Sequence, residues 1–427
     1  MKKQWFAGLL VLIMLLLQAC SDGSGSGDSP AAADKGGEGD KVTITYAMWD
    51  KNMQPAYEEI IRKFQDANPN IEVKLELTPW EQYWVKMEAA ATGSALPDVF
   101  WMNGPNFMKY ALNEMIAPIG NRVAADGIDL NNYPKALIDL YTYNGQPYAL
   151  PGYYDTVALY YNKKIFNDAG LPYPDDTWDW AKHKEVAASL TDPSKGIYGF
   201  SAELWNQGAF YNTIFQAGGY VISQDKKSSG YDKPEAIAGL KFLTNMIQEG
   251  ISPTFAQLSE TPGHTLFESG KSALYFGGSW YQGALMKAEA LKGNIGVTLL
   301  PKGEKRATVM HGVGYALSAK TKHPEEAWKF VNYLGSREAA EILGATGTTI
   351  PAFKGTEGAW VESNPELNLQ VFIDSTEYGV PFPVSKLTSQ WQEKETEILG
   401  RAWEGSMSIE DAAKQLAEEM NKILSIE

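Results

Sequence analysis

A chain of 427 residues is long enough to fill two sizeable cores, and 44% hydrophobic with 12% aromatic residues, including 13 Trp and 22 Tyr, mark it as folded. The formal charge of −15 leaves no basic stripe for phosphates, which argues against nucleic acid as a partner. One cysteine excludes an intramolecular disulfide, and His183, His264, His311 and His323 are too scattered for metal-ligand spacing, so no metal or other cofactor is expected.

Lys2 and Lys3 precede an unbroken apolar run of thirteen residues, Trp5 to Leu17, closed by Leu17-Gln18-Ala19-Cys20. This is the layout of a signal peptide over residues 1–19. As a helix the run spans about 20 Å, short of the roughly 30 Å hydrocarbon core, so a permanent transmembrane helix is not expected. Leu17-Gln18-Ala19-Cys20 resembles the bacterial lipobox, whose cysteine becomes the lipid-modified N-terminus after cleavage. That implies Cys20 as a membrane anchor; an ordinary signal peptide with an incidental cysteine is the alternative. Residues 20–40 then comprise the anchored cysteine and a Gly-, Ser- and Asp-rich tether with a reach of about 25 Å.

Val42, Ile44 and Tyr46 alternate with Thr43 and Thr45, which predicts a strand ending at Met48-Trp49-Asp50. Pro55 to Ala67 carries Tyr57, Ile60, Ile61 and Phe64 on one helical face. A second strand follows at Ile71 to Leu77, a helix at about Glu81 to Ala91, and a buried parallel strand at Asp98 to Met102. In such a β-α-β-α-β unit, ligand groups stand beyond the carboxyl ends of the strands. Trp49-Asp50 and Trp101-Met102-Asn103-Gly104 occupy those positions, each joining an aromatic plane to a carboxylate or amide that can bind a hydroxyl pair. A tryptophan covering the sheet end as core is the competing reading.

The stretch Gly145 to Asn162 holds two short strand-like runs, Tyr148-Leu150 and Val157-Tyr161, around a break at Pro151-Gly152. It suits either a plain hairpin or a chain leaving one compact unit for another. Beyond it, Thr177 is the expected N-cap of a helix, and Gly199 to Trp205 with Phe210-Tyr211 sets aromatics beside Glu203. Pro234 to Gln248 has helical spacing, Ser272 to Phe276 reads as a strand, and Gly277-Gly278-Ser279-Trp280 stands at its carboxyl end. Further strands are expected at Ile295 to Leu300 and Gly312 to Leu317. Helices are expected at Glu325 to Leu334, Leu387 to Trp403 and Ser408 to Ile423, the last opened by a Ser408/Asp411 variant of the capping box.

These residues resemble the family 1, maltose-binding-protein-like solute-binding proteins of carbohydrate ABC importers, in the lipoprotein form of Gram-positive bacteria. The resemblance runs from Val42 to the C-terminus. It rests on Tyr57 to Phe64 with Asn68-Pro69-Asn70-Ile71, Pro97-Asp98-Val99, Tyr148 to Lys163, Phe267 to Lys271, Gly277 to Trp280 and His323 to Leu334, in order and spacing. It implies an α/β, two-lobe periplasmic-binding-protein-like fold of type II, each lobe a mostly parallel sheet flanked by helices, with the ligand between lobes. Lobe 1 would be residues 41–152 plus 313–362 and lobe 2 residues 153–312 plus 363–427, the chain crossing at Pro151 to Thr156, near His311 to Gly314, and within Ala359 to Leu369.

By position the resemblance implies Asp155 as the carboxylate after the first crossing, Trp101, Trp280 and Trp391 as stacking rings, and Trp49-Asp50 as a sugar-contacting loop. Asn103, Tyr154, Trp205, Tyr211 and Tyr315 complete the expected ligand set. The expected function is capture of a mono- or oligosaccharide by lobe closure and delivery to the permease subunits of an ABC transporter, without covalent chemistry. The protein would act as a monomer held by lipid on the extracellular face of the membrane. Two alternatives remain open. A glycoside hydrolase would use paired carboxylates across a scissile bond, and a ferric-ion receptor would use the adjacent tyrosines Tyr153-Tyr154 or Tyr160-Tyr161.

Overall fold

The computed structural model describes residues 41–427; the expected signal peptide, Cys20 and the tether lie outside them. Among the described residues no helix is long and apolar enough to cross a membrane. The first strand, β1 (Val42–Met48), buries Ile44, Tyr46 and Met48 completely. It pairs in parallel with β2 (Ile71–Leu77) and β3 (Val99–Asn103), with helices Gln54–Ala67 and Trp80–Thr92 between them. Every residue of β3 is buried, as befits a central parallel strand covered on both faces. A two-strand ribbon of β4 (Thr142–Tyr143) and β5 (Gln146–Pro147) then leads into β6 (Ala149–Asp155).

Pro151-Gly152 is not a break. Strand β6 runs straight through it, and the interruption falls at Thr156, the single residue before β7 (Val157–Asn162). The sheet absorbs the proline with a bulge: opposite Val313 and Gly314 of β11 (Thr308–Leu317), the partners jump from Tyr153 to Pro151. Gly152 is the extra residue, and a Cβ there would stand 2.4 Å from the ring of Tyr315.

With β8 (Tyr198–Phe200), β9 (Ser272–Gly278) and β10 (Ile295–Thr298) in between, the strands form two main sheets. The larger runs β2-β1-β3-β11-β6 and ends at β12 (Ile350–Pro351), with β13 (Gly379–Pro381) attached to the start of β11. The smaller runs β10-β7-β9-β8. Both are mixed rather than mostly parallel. Strand β11 lies antiparallel between β3 and β6, and β7 is antiparallel to both its neighbours. Because β6 passes straight into β7 and β11 follows β10, these strands join sheets rather than closing β-α-β crossovers, which frees them from the parallel arrangement.

The large-sheet core is stitched by aromatic hydroxyls: Tyr57 and Tyr315 share a hydrogen bond of 2.7 Å, and the Trp101 indole donates to the Tyr46 hydroxyl at 2.6 Å. Where the sheets are joined, Thr308 bonds both the N–H and the C=O of Val157 at 3.0 Å. Thr156 donates to the Phe372 carbonyl, and Phe382 N–H to the Met310 carbonyl. The helix expected to start from Thr177 is capped instead by Asp179, which accepts from Lys182 N–H, while Asp175 engages Thr177 in a local turn. Ser408 does cap Ile409–Leu424, but Asp411 accepts the serine hydroxyl instead of reaching back to the cap backbone.

Candidate functional site

Strands β2, β1, β3 and β6 all end at one edge of the large sheet. Asp155 terminates β6 there, only 7% exposed, and its carboxylate accepts a 3.1 Å hydrogen bond from Ser279 at the end of β9. Ser279 N–H also donates to the Thr156 carbonyl, so the joint between the sheets and the β9 turn are bonded directly. Burial pushes the Asp155 carboxyl up to about 7; the Ser279 hydrogen bond opposes this, and the charge of nearby Asp50 adds to it. Tyr153, two residues back on the same strand face, packs its ring 5.3 Å from Trp101, and burial followed by the charges of Asp155 and Asp50 raises its hydroxyl pKa. Asp50, Tyr153 and Asp155 are thus neighbours. Tyr154 is corrected: strand alternation turns it to the opposite face, into a second core cluster with Ile350 and Trp360.

Trp49 is half-buried, with edge-on contacts to Trp101 at 4.7 Å, Tyr83 at 5.0 Å and Trp80 at 5.3 Å; Trp84 lies 6.1 Å away. Asp50 beside it caps the short helix Lys51–Met53 by accepting from Asn52 N–H. Trp101 is fully buried and forms the wall behind Trp49 rather than an open face. Asn103 is buried as well; its side-chain oxygen caps helix Gly104–Leu112 through Asn106. His311 supports the same helix start, its Nε2 accepting from Gly104 N–H, and burial drives its imidazole down to about 4 so that it stays neutral.

The second aromatic group stands on the smaller sheet. Trp205 and Trp280 are half-buried with centroids 5.8 Å apart, and Tyr281 contacts both, at 6.2 Å and 5.6 Å. Each indole packs closely on a glycine: a Cβ on Gly208 or on Gly278 would stand 1.9 Å from its ring. Glu203, whose carboxyl is raised by burial, accepts from Gly263 N–H at 2.6 Å and adjoins Tyr275. Trp205 opens a π-helical turn, Asn206–Phe210, a geometry frequent at functional sites.

Three further expected residues are in the core. Tyr211 donates to Glu395 at 2.7 Å, Tyr315 is paired with Tyr57, and Trp391 donates its indole N–H to Ser385 at 2.9 Å; all are fully buried. Of the predicted set, then, Trp49, Asp50, Asp155, Trp205 and Trp280 keep accessible or ligand-ready groups around the sheet joint. Tyr153, Ser279, Tyr281 and Trp80 are additions. Trp80 follows the carboxyl end of β2, where the rule applied to β1 and β3 points equally well.

Among the described residues no three His, Cys, Asp or Glu side chains are grouped to hold a metal ion. The adjacent tyrosines do not form phenolate pairs either, since neighbours on a strand face opposite ways. Two surface hollows, of about 440 Å³ by Lys241 and Ser408 and about 560 Å³ by Met108 and Lys226, contain none of the predicted residues and no indole. What the sheet joint offers chemically is two apolar aromatic walls and two carboxylates, suited to a ligand with flat C–H faces and many hydroxyls.

Comparison with known proteins agrees with this architecture. The sequence profile of the family described as bacterial extracellular solute-binding protein matches residues 50–341. The maltooligosaccharide ABC transporter solute-binding lipoprotein of Streptococcus pneumoniae is 25% identical over 398 residues, 92% of this chain and 90% of that one. The maltotriose-binding protein of Pyrococcus abyssi is 29% identical over 301 residues, 69% of this chain and 62% of that one. Among solved structures, the ABC substrate-binding protein Lmo0181 from Listeria monocytogenes in complex with cycloalternan superposes with a TM-score of 0.85 at 26% identity, covering 90% of this chain and all (100%) of that one. The acarbose-binding GacH receptor of Streptomyces glaucescens, at TM-score 0.79 and 21% identity over 90% of this chain and 99% of that one, shares the fold.

Proposed function

The chain belongs to the bacterial extracellular solute-binding protein family, and from that premise we propose that it captures an oligosaccharide between its two sheets and delivers it to the permease of an ABC transporter. The observation that carries this reading is the half-buried indoles on different sheets, Trp49 on one and Trp205 with Trp280 on the other, around Asp155. Relatives whose names specify maltooligosaccharide, maltotriose and cycloalternan support a sugar as the ligand class.

Binding requires no covalent chemistry in this reading. The part of each half-buried aromatic ring that is still open stacks on the C–H face of a sugar ring. Asp50 and Asp155 accept hydrogen bonds from hydroxyls, and Ser279 keeps Asp155 in place. The lobes are built on the two sheets, the chain passing between them at residues 155–157 and 308–310, and closure follows because the sugar binds the closed arrangement more tightly than the open one. Lipid on Cys20 holds the receptor at the extracellular face beside its permease, and the receptor works as a monomer.

Mass spectrometry of small molecules released from the purified protein tests the ligand class. A hexose oligomer is the expected species; a peptide or a metal ion in its place overturns the reading. A second reading has one observation in its favour. Asp155, held near neutral pKa beside Asp50, resembles the acid and base of a glycosidase. Chromatography of an oligosaccharide after long incubation separates the two, since a receptor returns it uncut.

A further inference from the structure

Among the described tryptophans Trp80 alone is exposed, at 48%, although it belongs to an indole group whose other members are half or fully buried. It starts helix Trp80–Thr92 immediately after the end of β2, and Thr78 N–H donates to the Met48 carbonyl, which brings that turn alongside Trp49-Asp50. Its ring meets Trp49 edge-on at 5.3 Å and Trp84 at 6.4 Å, so one side is braced and the rest faces solvent. The indole N–H has no part in capping, because Pro79 precedes the helix without a side-chain cap. Held open beside a polar site, such an apolar plane can stack on the C–H face of a ligand.

The order of strands says where Trp80 lies in that site. Along the shared edge the sequence is β6, β11, β3, β1, β2, with Asp155 on the first and Trp80 beyond the last. Four strand spacings of about 4.8 Å separate the ends, about 19 Å in all. One sugar ring cannot touch both. A ring seated at Asp155 leaves Trp80 bare, and only further rings linked to it extend past Trp49 to reach the exposed indole.

We propose that Trp80 is the outer subsite of the groove and selects for the length of the bound oligosaccharide; this rests on the sugar-binding reading above. Its C–H-stacking face rewards each ligand long enough to arrive there and is indifferent to shorter ones. The test is a fluorescence or calorimetric titration with α-glucan and galacto-oligosaccharide series, from monosaccharide to pentasaccharide, on the wild type, Trp80→Ala and Trp80→Phe. In a series that binds, wild-type affinity is expected to climb with ring number, Trp80→Ala to remove about tenfold for the longest members and leave the shortest unchanged, and Trp80→Phe to restore most of the loss. An equal loss at every length, or none at any, overturns the proposal while leaving the receptor reading intact. Failure of every series on the wild type, together with tight binding of a solute that is not a sugar, overturns the sugar-binding reading itself. Thermal melting of both variants checks that the fold is retained, as expected for an exposed side chain.

Discussion

Asp155 carries a pH signature that can be read without any ligand. Its carboxyl is held up to about 7 in the folded protein by burial, and Glu395, buried under Tyr211, Tyr231 and Asn206, is held up to about 8. An acid whose pKa is raised by folding binds more protons folded than unfolded, so its contribution to stability is complete below pH 4 and is lost as pH rises through the folded pKa. The unliganded protein is therefore expected to lose melting temperature from about pH 5 to pH 8. Asp155→Asn should flatten part of that fall, recovering up to about 4 kcal/mol at pH 8, and Glu395→Gln another part; unchanged pH profiles in both variants would contradict the assignment. At this scale the sequence was only half legible. It pointed to Asp155 but chose Tyr154 over Tyr153, although alternation along β6 from Asp155 puts Tyr153 and not Tyr154 on its face. Trp101, Tyr315 and Trp391 were not legible: whether a ring is open or covered depends on partners such as Tyr57, 258 residues from Tyr315.

Elements were more legible than residues. The helix at Pro234–Gln248 and the three parallel strands at the start of the chain follow from apolar period alone, since burial of one face dictates it. The π-turn at Asn206–Phe210 had no such signal, yet it positions Trp205. Asn212 pins it, donating to the Gln207 carbonyl and accepting from Val309 N–H, both at 2.8 Å, so the turn is tied to β11. Gly208→Ala forces the Trp205 ring off the turn. It should cost about 1–3 kcal/mol in stability and weaken sugar binding, measurable by denaturant melts and calorimetry on the same samples. Binding unchanged in a folded Gly208→Ala protein would remove Trp205 from the site.

For the whole molecule, the joint between the sheets is the working part. Residues 155–157, 308–310 and 381–382 run together there, bonded through Thr308, Val157, Met310 and Phe382, and Asp155 sits in the joint itself. A ligand touching Asp155 and both indole groups therefore acts on the segment that must bend. Small-angle scattering should register a smaller radius of gyration when saturating sugar is added, and a constant radius would argue against closure. The most direct measurement is a calorimetric titration of the wild type and Asp155→Ala with a panel of oligosaccharides. At pH 8, above the Asp155 pKa of about 7, the account predicts saturable binding of at least one of them to the wild type, weakened in the variant by about 1.5–3 kcal/mol as a charged hydrogen bond is lost. Absence of sugar binding, together with tight binding of another class of solute, would contradict it.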